Sequence, residues 1–225
     1  MKFLFNCFSS LILVSTICGC TGKPVQKADN QPPQKSDEEI QREFVEAQAA
    51  RAKEDIKLMT RSVDVNTKEG LAALKAKDYN RAEQLFLVAR KQMDNYRYEY
   101  GRRAMILVNL ASVYEEKEMY SEAIPLLNKS QKLFIKAYGT KHPTVSITLC
   151  KLGDCLSKQK RYEEASFVYR TAVSLMEQGG NDKGEDYKET LNKLQVALRV
   201  SGQGLQLKKV EEKLARLGKK GKGDI

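Results

Sequence analysis

The sequence predicts an all-α protein built from stacked helical hairpins, and three observations carry that prediction. From Ser36 onward apolar residues fall at helical intervals of three and four, and no stretch shows a convincing period of two. Leucines recur in columns: Leu107, Leu149 and Leu191 are 42 residues apart, as are Leu110, Leu152 and Leu194, and Tyr114, Leu156 and Leu198. A second set repeats at 41 and 42: Tyr79, Tyr120 and Tyr162, then Ala82, Ala123 and Ala165, then Phe86, Leu127 and Tyr169, then Ala89, Ser130 and Ala172. Many columns sharing one phase are the mark of a repeat architecture, in which each unit buries its apolar face on the next.

Composition narrows the function classes. The chain has 225 residues, 41% apolar and 30% charged, with a formal net charge of +10. That is enough apolar material for a core, so wholesale disorder is excluded. One histidine and five cysteines leave little room for a metal cluster or a Cys-His pair. No metal, cofactor or catalytic residue is expected, and the chain does not read as an enzyme.

The first nineteen residues read as an export signal. Lys2 is followed by an apolar run, Phe3 to Ile17, that falls short of the roughly 20 residues a membrane span needs. The run closes on Ile17-Cys18-Gly19-Cys20, which resembles the lipobox of bacterial lipoproteins. That resemblance implies cleavage before Cys20, a lipid on its thiol, and an envelope location. Because Thr21 is not the retention-type Asp, it points to the outer membrane, facing the periplasm, where the host is Gram-negative. Residues 20–36, rich in Pro, Gln and Lys, read as a flexible tether that wanders over roughly 20–25 Å.

Ser36 and Glu39 form a capping-box pattern that opens a helix over 37–60. The repeat domain is expected over 61–217 as three to four hairpins with capping helices. In one unit Leu107, Leu110 and Tyr114 share a face, as do Ala123, Leu127 and Ser130 on the next helix, with a turn at Lys117-Glu118-Met119-Tyr120. Asn80 and Glu83 are expected to cap the equivalent helix one unit earlier, and Pro125 to sit in a first helical turn. In the last unit Gly202 to Gly204 stands where the tyrosine turn would be. A final amphipathic helix follows over about 205–217, and residues 218–225 read as a basic disordered tail.

These columns resemble the tetratricopeptide repeat, whose unit is about 34 residues. The extra eight residues make roughly two helical turns, which keeps the faces in phase. The longer unit is similar to the kinesin-light-chain subgroup. Gly139-Thr140-Lys141-His142-Pro143-Thr144-Val145 matches its inter-hairpin junction, and Leu149-Cys150-Lys151-Leu152-Gly153 with Arg161-Tyr162-Glu163-Glu164-Ala165 continues the match. The resemblance is fullest over 104–176. It assigns His142 to the junction rather than to catalysis.

The resemblance also implies a concave groove, lined by the first helix of each hairpin, that grips a peptide or partner helix. Carried over to this sequence it lands on Asn109, Lys151 and Lys193 in one column. Val108, Cys150 and Asn192 form a second, and Ser112, Asp154 and Val196 a third. The candidate partner-binding residues are therefore Asn109, Ser112, Lys151, Asp154, Asn192 and Lys193. The carboxylate clamp of chaperone-binding repeats is not reproduced, since Thr67 and Ile147 stand where polar or basic residues would be wanted. Two lysines in the groove imply a taste for an acidic segment. Cys155 reads as a packed residue, and the basic residues from Lys208 onward as a solvated cap. The functional expectation is a membrane-anchored adaptor with a protein or peptide partner and no nucleic acid; the alternative is a structural or homo-oligomeric envelope protein.

Overall fold

The computed structural model describes residues 35–94, 96 and 99–220. Among them are eight α-helices and no strand: α1 (Asp37–Lys75), α2 (Tyr79–Met93), α3 (Tyr100–Glu116), α4 (Tyr120–Tyr138), α5 (Pro143–Lys158), α6 (Tyr162–Gln178), α7 (Glu185–Val200) and α8 (Gly204–Lys220). The expected signal segment, Cys20, the tether through residue 34 and residues 221–225 lie outside the described residues. The chain divides into two compact units, Met1–Ala47 and Gln48–Ile225. In the first unit the described residues are 35–47, which open α1. Its start follows the predicted capping box: Ser36 N donates to Glu39 Oε2 (3.0 Å) and Glu39 N donates to Ser36 Oγ (3.2 Å).

In the second unit each helix from α2 onward packs on the next in the chain: α2 on α3, α3 on α4, and so on to α7 on α8. The columns seen in the sequence are the core. Ala82, Ala123 and Ala165 are fully buried, as are Ala89, Ser130 and Ala172. Small side chains at these two positions let paired helices approach closely. Ser130 can be buried because its hydroxyl donates to the Ala104 carbonyl (3.1 Å). Leu107, Leu149 and Leu191 are buried with Leu152, Leu156, Leu194 and Leu198 in one cluster running from α3 to α8. Each such side chain contributes on the order of 1.5–3 kcal/mol when it leaves water. Phe86, Leu127 and Tyr169 sit opposite Gly70, Ala111 and Gly153 of the same columns, a large residue against a small one in the first three hairpins. The last hairpin departs from this: Gln195 Nε2 donates to Glu211 Oε1 (3.2 Å) where the small–large pair would fall.

Four predictions about local structure need correction. No break separates 37–60 from 61 onward, because Met59, Val63, Asn66, Gly70 and Ala73 keep the 4-3-4-3 spacing and nothing stops the helix. The cap of α2 is Asp78, whose carboxylate accepts from Arg81 N (3.1 Å); Glu83 is engaged elsewhere and Asn80 lies inside the helix. Pro125 lies within α4, one turn later than expected, so the Ser121 carbonyl loses its i+4 donor. Finally, residues 218–220 extend α8 instead of joining a disordered tail, since one glycine, Gly218, costs too little to stop the amphipathic helix.

The hairpin turns share one backbone conformation. Lys77, Glu118, Lys160 and Gly202 have φ of 60°, 58°, 61° and 72°, the left-handed region. In each turn the next residue's N–H reaches back five residues: Asp78 to Ala73, Met119 to Tyr114, Arg161 to Leu156 and Gln203 to Leu198. These bonds close the carbonyls left open at a helix end. Gly202, which looked like a break in the repeat, therefore occupies the turn position that three charged residues hold under strain.

Two sites test this reading. Lys160→Gly should raise the urea unfolding midpoint, by up to about 1 kcal/mol, and Gly202→Ala should lower it by a similar amount. Gly153→Ala should destabilise by about 1–3 kcal/mol, because the new Cβ would lie 2.5 Å from the Tyr169 ring, which is anchored at its hydroxyl. Equilibrium unfolding followed by circular dichroism measures all three.

Candidate functional site

The first helices of the hairpins carry the candidate residues, and hydrogen bonds spanning 39 residues join one hairpin to the next. Lys151 Nζ on α5 donates to Ser112 Oγ on α3 (3.1 Å) and lies 3.7 Å from Glu115 Oε2. Lys193 Nζ on α7 donates to Asp154 Oδ2 on α5 (2.9 Å) and pairs with Glu189 on its own helix (2.9 Å). The same step repeated by one unit thus forms two rungs of a polar ladder. Asn109 stands in the lysine column, and the corresponding partner position on α1 is Leu71, which offers no acceptor. Asn109 is 9% exposed, and its Nδ2 is the buried side-chain nitrogen without a hydrogen-bond partner among the described residues.

Asp154 is the hub of the ladder. Its second oxygen, Oδ1, accepts from Tyr169 Oη on α6 (2.6 Å), so one carboxylate ties α5 to both α6 and α7. Burial and this bond to a carboxylate push the Tyr169 hydroxyl well above its ordinary range. Burial opposes the charge on Lys193, but its bonds to Asp154 and Glu189 outweigh that and hold the ammonium above its ordinary value. Burial raises Glu115, and the nearby Lys151 offsets part of the effect. At the α2–α3 junction Glu83 receives bonds from Lys117 Nζ (2.7 Å) and Tyr114 Oη (3.0 Å). The Lys117 bond, more than the Tyr114 one, lowers its pKa despite burial.

An open cleft of about 280 Å³ lies between α5 and α7, lined by Ile147, Cys150, Lys151, Asp154, Glu189 and Lys193, with Asp186, Thr190 and Met176 around them. The structure therefore brings together Lys151, Asp154 and Lys193, with Ser112 one rung below. Asn192 is exposed on α7 and is not part of that lining. The expected preference for an acidic segment needs correction: two lysines meet three carboxylates in the cleft, and each lysine is already paired. The residue that sequence reasoning undervalued is Ile147. It is 46% exposed, as is Met105 one unit earlier in the same column. With Val108 and Cys150, both half-buried, they make an apolar strip beside the ladder. The signal was present as two apolar residues in a column whose other members, Asp64 and Glu189, are acidic.

The remaining candidates take structural places. His142 is the cap of α5: its Nδ1 accepts from Thr144 N (3.4 Å), Pro143 follows at the first helical position, and the ring lies 4.6 Å from Tyr138. Cys150 and Cys155 are free thiols. The Cys150 sulfur lies 3.2 Å from Thr190 Oγ1 across to α7, and burial raises its pKa. Cys155 is fully buried, and burial pushes its thiol up to about 12. No group of His, Cys, Asp and Glu among the described residues could hold a metal ion, and no described helix is long and apolar enough to cross a membrane.

A succession of antiparallel hairpins with its chemistry on the first helices defines the chain as a tetratricopeptide-type helical solenoid. Residues 102–178 match the family model for the tetratricopeptide repeat. Among solved structures, the nearly identical repeats of a Podosopora anserina protein described as a putative kinesin light chain are similar, with a TM-score of 0.61 at 16% identity, over 79% of this chain and 92% of that one. BtubC (BKLC) from P. vanneervenii is similar with a TM-score of 0.66 at 14% identity, over 72% of this chain and 65% of that one. At such identities the likeness is one of fold. A secreted RxLR effector protein of Plasmopara halstedii is 31% identical over 91 residues, 40% of this chain and 28% of that protein. The chain spans about a quarter of the length of the curated relatives it matches.

The buried thiol gives a pH prediction. In the unfolded chain Cys155 titrates near 9, so above that pH the unfolded state has lost a proton that the native state keeps. Its contribution to stability should be flat below pH 9 and fall as pH rises toward 12, by at most about 1.4 kcal/mol per pH unit for one proton. Urea titrations at a series of alkaline pH values measure the slope, and Cys155→Ala should reduce it.

Proposed function

We propose that the chain is a lipid-anchored adaptor whose groove holds an extended segment of a protein partner. The observation that carries this reading is the exposed apolar strip of Met105 and Ile147 beside the buried, unpaired amide nitrogen of Asn109. A buried amide nitrogen without an acceptor costs about 1–3 kcal/mol, and a turn of the Asn109 side chain toward the groove would let a backbone carbonyl laid along α3 recover it. Met105, Val108, Ile147 and Cys150 would then take apolar side chains of the segment. The balanced Lys151–Glu115 and Lys193–Asp154 pairs would hold the groove's shape rather than supply net charge. The tetratricopeptide match over residues 102–178 supports protein binding as the function class.

Anchoring rests on the sequence. Ile17-Cys18-Gly19-Cys20 has the form of a lipobox, and the Pro- and Gln-rich stretch after it would let the repeat domain stand off a membrane surface. More than one acyl chain is needed for stable attachment, which a diacylated, N-acylated cysteine supplies. A matching relative is described as secreted, which agrees with an exported chain. The reading places the protein in the cell envelope, at the outer membrane where the host has one.

Two measurements test the two halves. Mass spectrometry of native material should find acyl mass on Cys20 as the first residue, and Cys20→Ser should release the protein from the membrane fraction; an unmodified cysteine ends the anchor. Crosslinking from the native envelope should capture a partner in the groove. Asn109→Ala should weaken its binding about ten-fold, and Val108→Asp with Ile147→Asp should weaken it further. Wild-type affinity in both variants ends the groove assignment.

A further inference from the structure

α1 is 39 residues long but its hairpin partner α2 has only 15. Burial on α1 starts near Met59, and residues 37–58 are exposed throughout. The stripe that packs beneath α2, made by Met59, Val63, Asn66, Gly70 and Ala73, continues at the same 4-3-4-3 spacing through Val45, Ala49, Ala52 and Ile56. Val45 is 61% exposed and Ile56 is 42% exposed. This is the spacing of a two-helix seam, and in a single copy half of it is uncovered.

We propose that a second copy of this chain covers it, through antiparallel pairing of the two α1 helices about a two-fold axis between Ala50 and Arg51. In that register Val45 meets Ile56 of the second copy, and Ala49 meets Ala52 of the second copy. Large residues lie at the outer rungs and small ones at the crossing, where the axes must come closest. The flanking charges choose the direction. Antiparallel helices bring like flanks together, so Glu46 faces Lys53 of the second copy, twice over, and Gln48 faces Asp55 of the second copy. Parallel helices would set Gln41 against Glu46 and Gln48 against Lys53, with no opposite charges in contact.

Charge along the helix agrees. Asp37, Glu38, Glu39, Glu43 and Glu46 against Arg42 make residues 37–50 strongly acidic, while Arg51, Lys53, Lys57 and Arg61 against Glu54, Asp55 and Asp64 leave residues 51–64 nearly neutral. An antiparallel pair lays each acidic half along the other's nearly neutral half, where a parallel pair would set acid on acid, and it opposes both helix dipoles favourably. The seam also continues the α1–α2 interface without a change of phase, so it extends a packing face that each copy already uses.

The test is sedimentation equilibrium of the purified full chain over a wide concentration range. The expected result is a reversible dimer that Ile56→Asp abolishes. Ile56 belongs to none of the buried core clusters of one copy, so the thermal melt of the repeat domain should be unchanged. Glu46→Lys should weaken the dimer about ten-fold, and Glu46→Lys with Lys53→Glu should restore it, because the swapped charges meet again. A chain that stays monomeric, or a dimer indifferent to Ile56→Asp, overturns the proposal. So does a dimer that the double exchange fails to restore, since that result excludes the antiparallel register.

Discussion

Close approach between neighbouring helices is the constraint on which the rest of the structure depends. Each hairpin has two apolar faces and can cover only one of them internally. Stacking covers the other, and it works because Ala82, Ala123 and Ala165, with Ala89, Ser130 and Ala172, leave room for the helix opposite. The leucine columns on the first helices then fall between successive hairpins and exclude water. A period of 41 or 42 residues is the repeat that returns every face to the same azimuth after two helices and two turns. The left-handed turn residue follows from the same demand, because a sharp reversal must leave the second helix antiparallel to the first, and Lys77, Glu118 and Lys160 accept strain to provide it.

The polar ladder is built on that stack. Long side chains at one column reach 39 residues back, from Lys151 to Ser112 and from Lys193 to Asp154, only because hairpin spacing is set by the buried residues below. Asp154 serves three helices through two oxygens, and removing its charge would leave Tyr169 and Lys193 without their shared partner. Asn109 is the rung where the pattern lapses. Its neighbour in the column below is an aliphatic residue, so the ladder has a buried, unpaired donor at one place and closed ion pairs at the next two.

Much of this was legible in the sequence. The hairpin count, the paired helices, the small residues at the crossings, the Ser36–Glu39 capping box and the structural place of His142 follow from periodicity and local pattern. The misreadings share a cause. The end of the first helix at residue 60, the cap of α2 and the place of Pro125 each turned on one or two residues at an element boundary, where several side chains could do the same job. Asp78 and Asn80 are both good caps, and which of them bonds depends on where the turn leaves the backbone. The charge of the groove was misjudged for another reason: Glu189 on the same helix pairs with Lys193, but the other partners of Lys151 and Lys193 belong to the previous hairpin. Glu115 and Asp154 enter the account only once two units are superposed.

Packing between helices runs from each to the next along the chain, from α2 through α8. A unit in such a stack has no long-distance obligations, so its neighbours see only whether the matching faces are present. Duplication or loss of one whole 42-residue module would leave the remaining joints intact. A lineage could lengthen or shorten this protein by recombination, in steps of one hairpin, without redesigning its core.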